Sequence, residues 1–358
     1  MSTTAKPRVG VLGAGQLALM LAEAGHAIGV DVLCAGRKGD CAGAIAPIAE
    51  VDLEDEDAVK HFGETVDMLT LESENVEANV LATLTNLAPN ARAVKIAQDR
   101  LFEKDFMRFQ GVATAPYAEV NSLRDLYAAL ETIGAPSILK TRRLGYDGRG
   151  QVRLTHTDEA ASAWAHMGGA PCILEGMVRF DCEVSLIAVR SANGETKFYP
   201  LVQNEHRAGI LRVSTAPYEN PALQQQAEAH LDSLLTALEY VGVLTVEFFV
   251  AQGVLIANEM APRVHNSGHW TIEGSDTSQF ENHLRAVLGW PLGSTESRPS
   301  VMLNCIRFMP PENETAQYLE IARHDYGKTA RPGRKVGHLT LPANAVDVIA
   351  KWKQRLEA

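Results

Sequence analysis

Cysteine is scarce in this chain of 358 residues. There are five, Cys34, Cys41, Cys172, Cys182 and Cys305, scattered and odd in number, with no Cys-x-x-Cys pair. That argues against a disulfide framework or a zinc ribbon and predicts ordinary thiols in a reducing, cytoplasmic setting. Long apolar runs are missing too: none approaches the roughly 20 residues that a membrane helix needs. Residues 1–8 are short and polar and lead straight into a strand-like segment, so no signal peptide is expected. Positive charge is in deficit, with 33 Lys and Arg against 44 Asp and Glu and a net charge of −11. A field of that sign opposes non-specific binding to nucleic acid or an anionic membrane. It leaves room for a local basic pocket around a phosphorylated small molecule. No internal repeat or low-complexity tract breaks the pattern.

What is present is a globular composition, 46% hydrophobic and 22% charged, on enough chain for two or three domains. Residues 8–12, 29–33 and 66–71 read as apolar strands. Residues 16–25 and 76–87 read as helices between and after them, and a further helix opens in the acidic stretch 52–57. Strands alternating with helices predict a parallel sheet. A helical stretch, 96–109, leads to a second unit beginning near Gly111. There, 123–133 reads as a helix, 137–141, 172–175 and 183–189 as strands, and 221–240 as a long helix. Residues 243–249 and 254–258 read as strands paired around Gln252-Gly253. Beyond Pro291, prolines punctuate short strand-like runs such as 301–307, which predicts a small β-rich unit.

Two glycine loops stand out. Gly10-x-x-Gly13-x-Gly15 follows a strand and opens a helix, where backbone amides can meet an anion. A dinucleotide fingerprint would add a third glycine where Ala18 stands and an acid after the second strand, which ends at Cys34-Ala-Gly-Arg37 without one. The loop therefore reads as a dinucleotide turn, a site for another phosphate, or a strand-helix corner. The second loop is Lys140-Thr-Arg-Arg-Leu-Gly145-Tyr-Asp-Gly148-Arg-Gly150-Gln. Its glycines let amides approach phosphate oxygens and its cations neutralise them, and it lacks the Gly-Lys-Ser/Thr of a P-loop.

Two carboxylates, Glu247 inside the strand 243–249 and Glu259 after the strand 254–258, flank one tight connection. They are expected on antiparallel neighbours, beside Asn258. A carboxylate in an apolar strand needs a partner. Either the pair holds Mg²⁺, which takes oxygen ligands and keeps phosphates as its others, or it is salt-bridged to arginines such as Arg263. The strand ending at Glu175, its linker, and the following Glu183 could offer an adenine edge and ribose hydroxyls their partners. His265 and His269, four apart, read better as phosphate or substrate donors than as a zinc pair, since Pro262 and Gly268 favour a loop.

Together these residues resemble the ATP-grasp family, and within it the branch of 5-(carboxyamino)imidazole ribonucleotide synthases. The matching stretches are Gly13-Ala-Gly-Gln-Leu17, Gln98-Asp-Arg100, Gly145-Tyr-Asp-Gly-Arg-Gly-Gln151, Gln203-Asn-Glu-His206, Asn258-Glu-Met-Ala-Pro-Arg-Val-His-Asn-Ser-Gly-His-Trp-Thr271 and Arg331-Pro-Gly-Arg-Lys-Val-Gly-His338. They run in the family's order over nearly the whole chain. The resemblance implies an α/β and α+β fold: a Rossmann-like parallel-sheet domain at 1–110, an ATP-grasp domain at 111–293 and a small β-rich domain at 294–358. It implies a cytoplasmic homodimer, without nucleic acid or membrane partners, that carboxylates 5-aminoimidazole ribonucleotide with ATP, Mg²⁺ and bicarbonate through carboxyphosphate.

Site roles carry over by position. ATP would be held by Arg100, Lys140, Gly145, Tyr146, Asp147, Gly148, Arg149, Gly150, Gln151, the linker Glu175, Gly176, Met177 and Val178, then Glu183, His206, Asn258 and Glu259. Glu247 and Glu259 would hold Mg²⁺. Arg263, His265, Asn266, Arg331 and Lys335 would hold the ribonucleotide phosphate or carboxyphosphate, with Asp147, Lys335 and Arg263 as the catalytic set. Asp147, the one acid in a cationic loop, reads as a proton acceptor near the amine or as a turn cap. His206 reads as a nucleotide contact or a structural histidine. Leu144 stands where relatives commonly carry another glycine, and Ala18-Leu19 replaces a glycine-arginine. The rivals are a formate-dependent glycinamide ribonucleotide ligase, a nicotinamide-dependent dehydrogenase built on the first loop, and a non-catalytic nucleotide sensor.

Overall fold

A computed structural model describes residues 6–145 and 150–357. The first sheet holds β1 (Arg8–Leu12), β2 (Asp31–Gly36), β3 (Ile48–Glu50) and β4 (Met68–Leu71), all parallel in the order β3-β2-β1-β4. The helix Gln16–Ile28 crosses between β1 and β2 and ends on Gly29 at φ +77°, a left-handed stop that glycine takes without steric cost. Its buried face, Leu17 to Ala22, covers the sheet.

The helix expected over 76–87 shrinks to Ala78–Leu81. Thr83 folds its hydroxyl back onto the Val80 carbonyl, and Asn86 donates its amide to the carbonyls of Gly63 and Val66. Both residues compete with the helix for backbone partners, and Leu87 then runs beside Leu69 as a parallel bridge. The stretch 96–109 divides into helices Ala91–Ala97 and Arg100–Phe109, because Asp99 takes an extended conformation and caps the second one through the Leu101 N–H.

A second sheet contains β5 (Tyr117–Val120), β6 (Ser137–Thr141), β7 (Gln151–Leu154) and β8 (Cys172–Gly176), antiparallel in the order β5-β8-β6-β7. The helix Leu123–Ile133, capped by Ser122, packs its Leu126, Ala129 and Leu130 on this sheet. The third sheet is large: β9 (Cys182–Arg190), β10 (Thr196–Phe198), β11 (Val202–Arg207), β12 (Ile210–Ala216), β13 (Gly242–Ala251), β14 (Val254–Ala261), β15 (Ser300–Ile306), β16 (Ala322–Asp325) and β17 (Lys335–Pro342). Its order is β14-β13-β9-β11-β12-β15-β17-β16, with β10 on β9. The strands after Pro291 therefore extend this sheet through the β12–β15 pairing, which carries Lys335 onto the same sheet as Glu247 and Glu259. The helix Pro221–Ala237 buries a leucine stripe, Leu223, Leu231, Leu234 and Leu235, against it.

Candidate active site

Glu247 and Glu259 are direct register partners on β13 and β14, with a bulge beside them between Glu247 and Phe248. Loss of hydration and the facing Glu259 push the Glu247 carboxyl above the usual carboxylate range. Burial pushes Glu259 the same way, yet Arg100 and Lys140 hold it below that range. Two opposed carboxylates of which one resists ionisation suit a divalent cation, which would relieve their repulsion. Among the described residues no cluster of three or more His, Cys, Asp or Glu could hold a metal alone. Two carboxylates fit Mg²⁺, which takes its remaining oxygens from phosphate and water. The salt-bridge alternative drawn from the sequence holds for Glu259, but through Arg100 rather than Arg263. Arg263 clasps Glu74 in a fork of 2.6 and 3.1 Å, while Glu259 takes Arg100 at 3.2 Å.

Of the residues expected to hold ATP, several meet one another. Lys140, near the end of β6, reaches Glu175 on β8 at 3.0 Å. Burial raises the cost of charge on Glu175, but Lys140 and Lys104 hold its carboxyl below the usual range. Burial also lowers the Lys140 ammonium despite Glu175. Arg100 donates to the Gly145 carbonyl at 3.0 Å, tying the glycine loop to the Glu259 pair. Arg142, at the loop's base, lies bidentate on Asp99 with contacts of 2.7 to 3.1 Å and reaches Glu119 at 2.6 Å. Gly150 sits at φ +67° before Gln151 opens β7. Tyr146, Asp147, Gly148 and Arg149 lie outside the described residues. In the linker, the N–H groups of Gly176 and Met177 already donate to the carbonyls of Pro116 and Pro136. Glu183 on β9 meets His206 on β11 in a short hydrogen bond. Burial works against charge on His206, but that bond holds its imidazole above the ordinary value.

His265 Nε2 lies 3.3 Å from Glu247. Burial, then Arg263 and Lys335, push the His265 imidazole well below its ordinary value, so it is neutral. Asn266 and Asn304 exchange amide hydrogen bonds of 2.8 and 3.1 Å. Lys335 opens β17 and its ammonium lowers the cost of charge on Glu247, whereas Arg331 is exposed in the preceding turn. His269 departs from the expected loop donor: the 3₁₀ turn Asn266–Gly268 sends it inward, 0% exposed, against Phe280 and His338.

The first glycine loop is filled by the chain itself. Glu72 accepts from the N–H groups of Gly15 at 2.5 Å and Ala18 at 3.1 Å, at the start of the helix where a pyrophosphate would rest. A Cβ on Gly13 would meet the Glu72 side chain at 2.3 Å, which explains the glycines without a dinucleotide. Sequence reasoning missed Glu72 and Glu74, although both follow the C-terminal end of the parallel strand β4, where open α/β sheets place their sites. It also missed Glu103 and Lys104. Their signal was two charged residues three and four positions after Arg100, on one helix face.

Three family models match consecutive parts of the chain: a ribonucleotide synthetase preATP-grasp domain over residues 6–98, an ATP-grasp domain over 105–280, and a phosphoribosylaminoimidazole carboxylase C-terminal domain over 300–351. The chain is 48% identical over 339 residues to the N5-carboxyaminoimidazole ribonucleotide synthase of Pseudomonas aeruginosa, covering 93% of this chain and 94% of that one. Among solved structures it resembles N5-carboxyaminoimidazole ribonucleotide synthetase from Thermus thermophilus, with TM-score 0.91, 46% identity and 97% of both chains covered. It also resembles the Aspergillus clavatus N5-carboxyaminoimidazole synthase in complex with ADP and 5-aminoimidazole ribonucleotide, with TM-score 0.88, 29% identity and 98% of both chains covered.

Proposed function

The chain belongs to the N5-carboxyaminoimidazole ribonucleotide synthase family and is an ATP-grasp ligase, and from that premise we propose that it carboxylates the exocyclic amine of 5-aminoimidazole ribonucleotide in purine biosynthesis. ATP and bicarbonate are the co-substrates, and ADP and phosphate are released. The observation that carries the reading is the in-register Glu247–Glu259 pair, flanked by Arg100, Lys140 and Glu175 on one side and by His265 and Lys335 on the other.

In the first step a bicarbonate oxygen bonds to the γ-phosphorus and the bond to the ADP oxygen breaks, giving carboxyphosphate. In the second, the amine nitrogen bonds to the carboxyl carbon, phosphate leaves with the C–O bond's electrons, and the amine proton passes to a base. Lys140 and Arg100 neutralise phosphate oxygens, and Glu175 holds Lys140 in place. The linker to Val178, with Glu183 and His206, takes the nucleoside. Glu247 and Glu259, beside Asn258, would hold Mg²⁺, which would supply further charge neutralisation on the phosphates. Arg263, oriented by Glu74, acts with neutral His265, Asn266, Arg331 and Lys335 on the ribonucleotide phosphate or carboxyphosphate. Asp147 accepts the proton, and the glycine loop excludes water from a short-lived intermediate.

The proposal includes a division at 1–110, 111–293 and 294–358, a homodimer and a cytoplasmic setting. No described helix is long and apolar enough to cross a membrane. The test is ADP release with alternative acceptors. 5-Aminoimidazole ribonucleotide with bicarbonate should be preferred. Faster release with glycinamide ribonucleotide and formate would transfer the chain to the rival ligase.

A further inference from the structure

Glu103 and Lys104 are 2% and 1% exposed, on the helix Arg100–Phe109. Two ionisable side chains at such depth are costly unless each meets a partner that needs it. With Arg100, they reach three consecutive residues of β14. Lys104 Nζ donates to the Asn258 carbonyl at 2.8 Å, Arg100 Nη1 to the Glu259 carboxylate at 3.2 Å, and the Met260 N–H to Glu103 Oε1 at 2.6 Å. Positions 100, 103 and 104 share one helix face, so a single face grips residues 258, 259 and 260 in order.

The gripped segment is where the ladder is irregular. Glu247 pairs with Glu259 and Phe248 with Ala257, so Asn258 is left over as a bulge residue. A bulge re-aims side chains and loosens local pairing. β14 is also an edge strand, whose outward backbone groups need partners from outside the sheet. Ala113 takes the outer N–H of Ala257 at 2.7 Å, and the helix takes the next two groups. Lys104 Nζ further lies 3.4 Å from Glu175, the carboxylate that holds Lys140.

We propose that Glu103 and Lys104 are positioning residues that lock the β14 bulge, aim the Glu259 carboxylate at a divalent cation, and couple that aim to the nucleotide lysine through Glu175. The proposal rests on the metal reading given above. Neither residue is assigned a contact with substrate. Their action passes through the peptide groups on either side of Glu259.

The test is Mn²⁺ binding to the protein–ADP complex, read by electron paramagnetic resonance of free Mn²⁺, alongside ADP affinity in EDTA. Glu103→Leu removes the acceptor of the Met260 N–H, whereas Glu103→Gln keeps an oxygen there. Mn²⁺ affinity is expected to fall about tenfold or more in Glu103→Leu, as for lost outer-shell support of a metal ligand, and to stay near wild type in Glu103→Gln. ADP affinity in EDTA stays at the wild-type value in both. Lys104→Met, which removes the donor to the Asn258 carbonyl, is expected to show the same loss of Mn²⁺ affinity and serves if Glu103→Leu does not fold. Unchanged Mn²⁺ affinity in a folded Glu103→Leu or Lys104→Met protein would overturn the clamp. So would a loss of metal-free ADP affinity in Glu103→Leu equal to its loss of metal affinity, since that marks general damage to the pocket. Absence of Mn²⁺ binding by the wild-type ADP complex would be a different failure, removing the metal reading and the clamp with it.

Discussion

Replacing Glu74 with alanine should strip Arg263 of its orientation. The Arg263 and Glu74 side chains, 19% and 29% exposed, share a fork in which Nε and Nη2 each meet one carboxylate oxygen. The Arg263 guanidinium draws the Glu74 carboxyl below the usual range even though burial pushes it upward. Removing one partner of such a pair leaves the other charge unpaired, at a cost of about 3 kcal/mol, the lower end of the range because both groups keep some solvent. Were all of it expressed in the transition state, kcat/KM for the ribonucleotide would fall by about two orders of magnitude. Neither residue is assigned an ATP contact above, so ADP affinity should hold. The assay is steady-state kinetics with the ribonucleotide varied at saturating ATP and bicarbonate, with ADP titrated separately. Glu74→Asp, which keeps the charge at shorter reach, should recover part of the loss. Wild-type kcat/KM in Glu74→Ala would refute the reasoning, because Arg263 would then need no partner to act.

Glu247→Gln and Glu259→Gln should each abolish Mg²⁺-supported turnover while leaving the melting temperature within a few degrees of wild type; retained turnover would make the pair structural. Lys335→Ala should lower kcat and kcat/KM together with ATP affinity near normal, since its assigned charge acts on the intermediate; parallel loss of ATP binding would place it in the nucleotide pocket. His283 predicts an acid-sensitive joint between the first and third sheets. It accepts the Val243 N–H at 3.0 Å and lies 2.7 Å from the Thr70 hydroxyl, and burial lowers its pKa to about 4. Between that value and the unfolded value of about 6.5 the unfolded chain binds more protons, so stability rises with pH there and is lost on acidification. Denaturant melts at pH 7 and pH 4.5 should show wild type losing about 2–3 kcal/mol more than His283→Gln over that interval; equal losses would show that His283 protonates without cost.

Much of the architecture was legible because local signals agreed with the final packing. The helix Leu123–Ile133 and strand Ser137–Thr141 lie where their patterns place them. The tight connection at Gln252-Gly253 correctly made β13 and β14 neighbours, bringing Glu247 opposite Glu259. Where expectation failed, a polar side chain had chosen a backbone partner that periodicity does not register. Asp99 broke a helix by capping the next one, and Thr83 and Asn86 ended another. The pairing of Arg263 with Glu74 spans 189 residues and depends on the docking of the first sheet against β14, so no local window carries it. The resemblance supplied the residues proposed to hold ATP. It did not supply Glu103 or Lys104, whose partners are peptide groups and leave no motif of their own.

The central claim is that bicarbonate is activated as carboxyphosphate, and bicarbonate labelled with ¹⁸O tests it most directly. Attack of a bicarbonate oxygen on the γ-phosphorus, followed by loss of phosphate from the carboxyl carbon, moves one bicarbonate oxygen into each phosphate released. Mass spectrometry of the phosphate formed with 5-aminoimidazole ribonucleotide should find one ¹⁸O per molecule, in proportion to product. Product formed with unlabelled phosphate would mean that ATP cleavage does not pass through the bicarbonate oxygen, and would contradict the account.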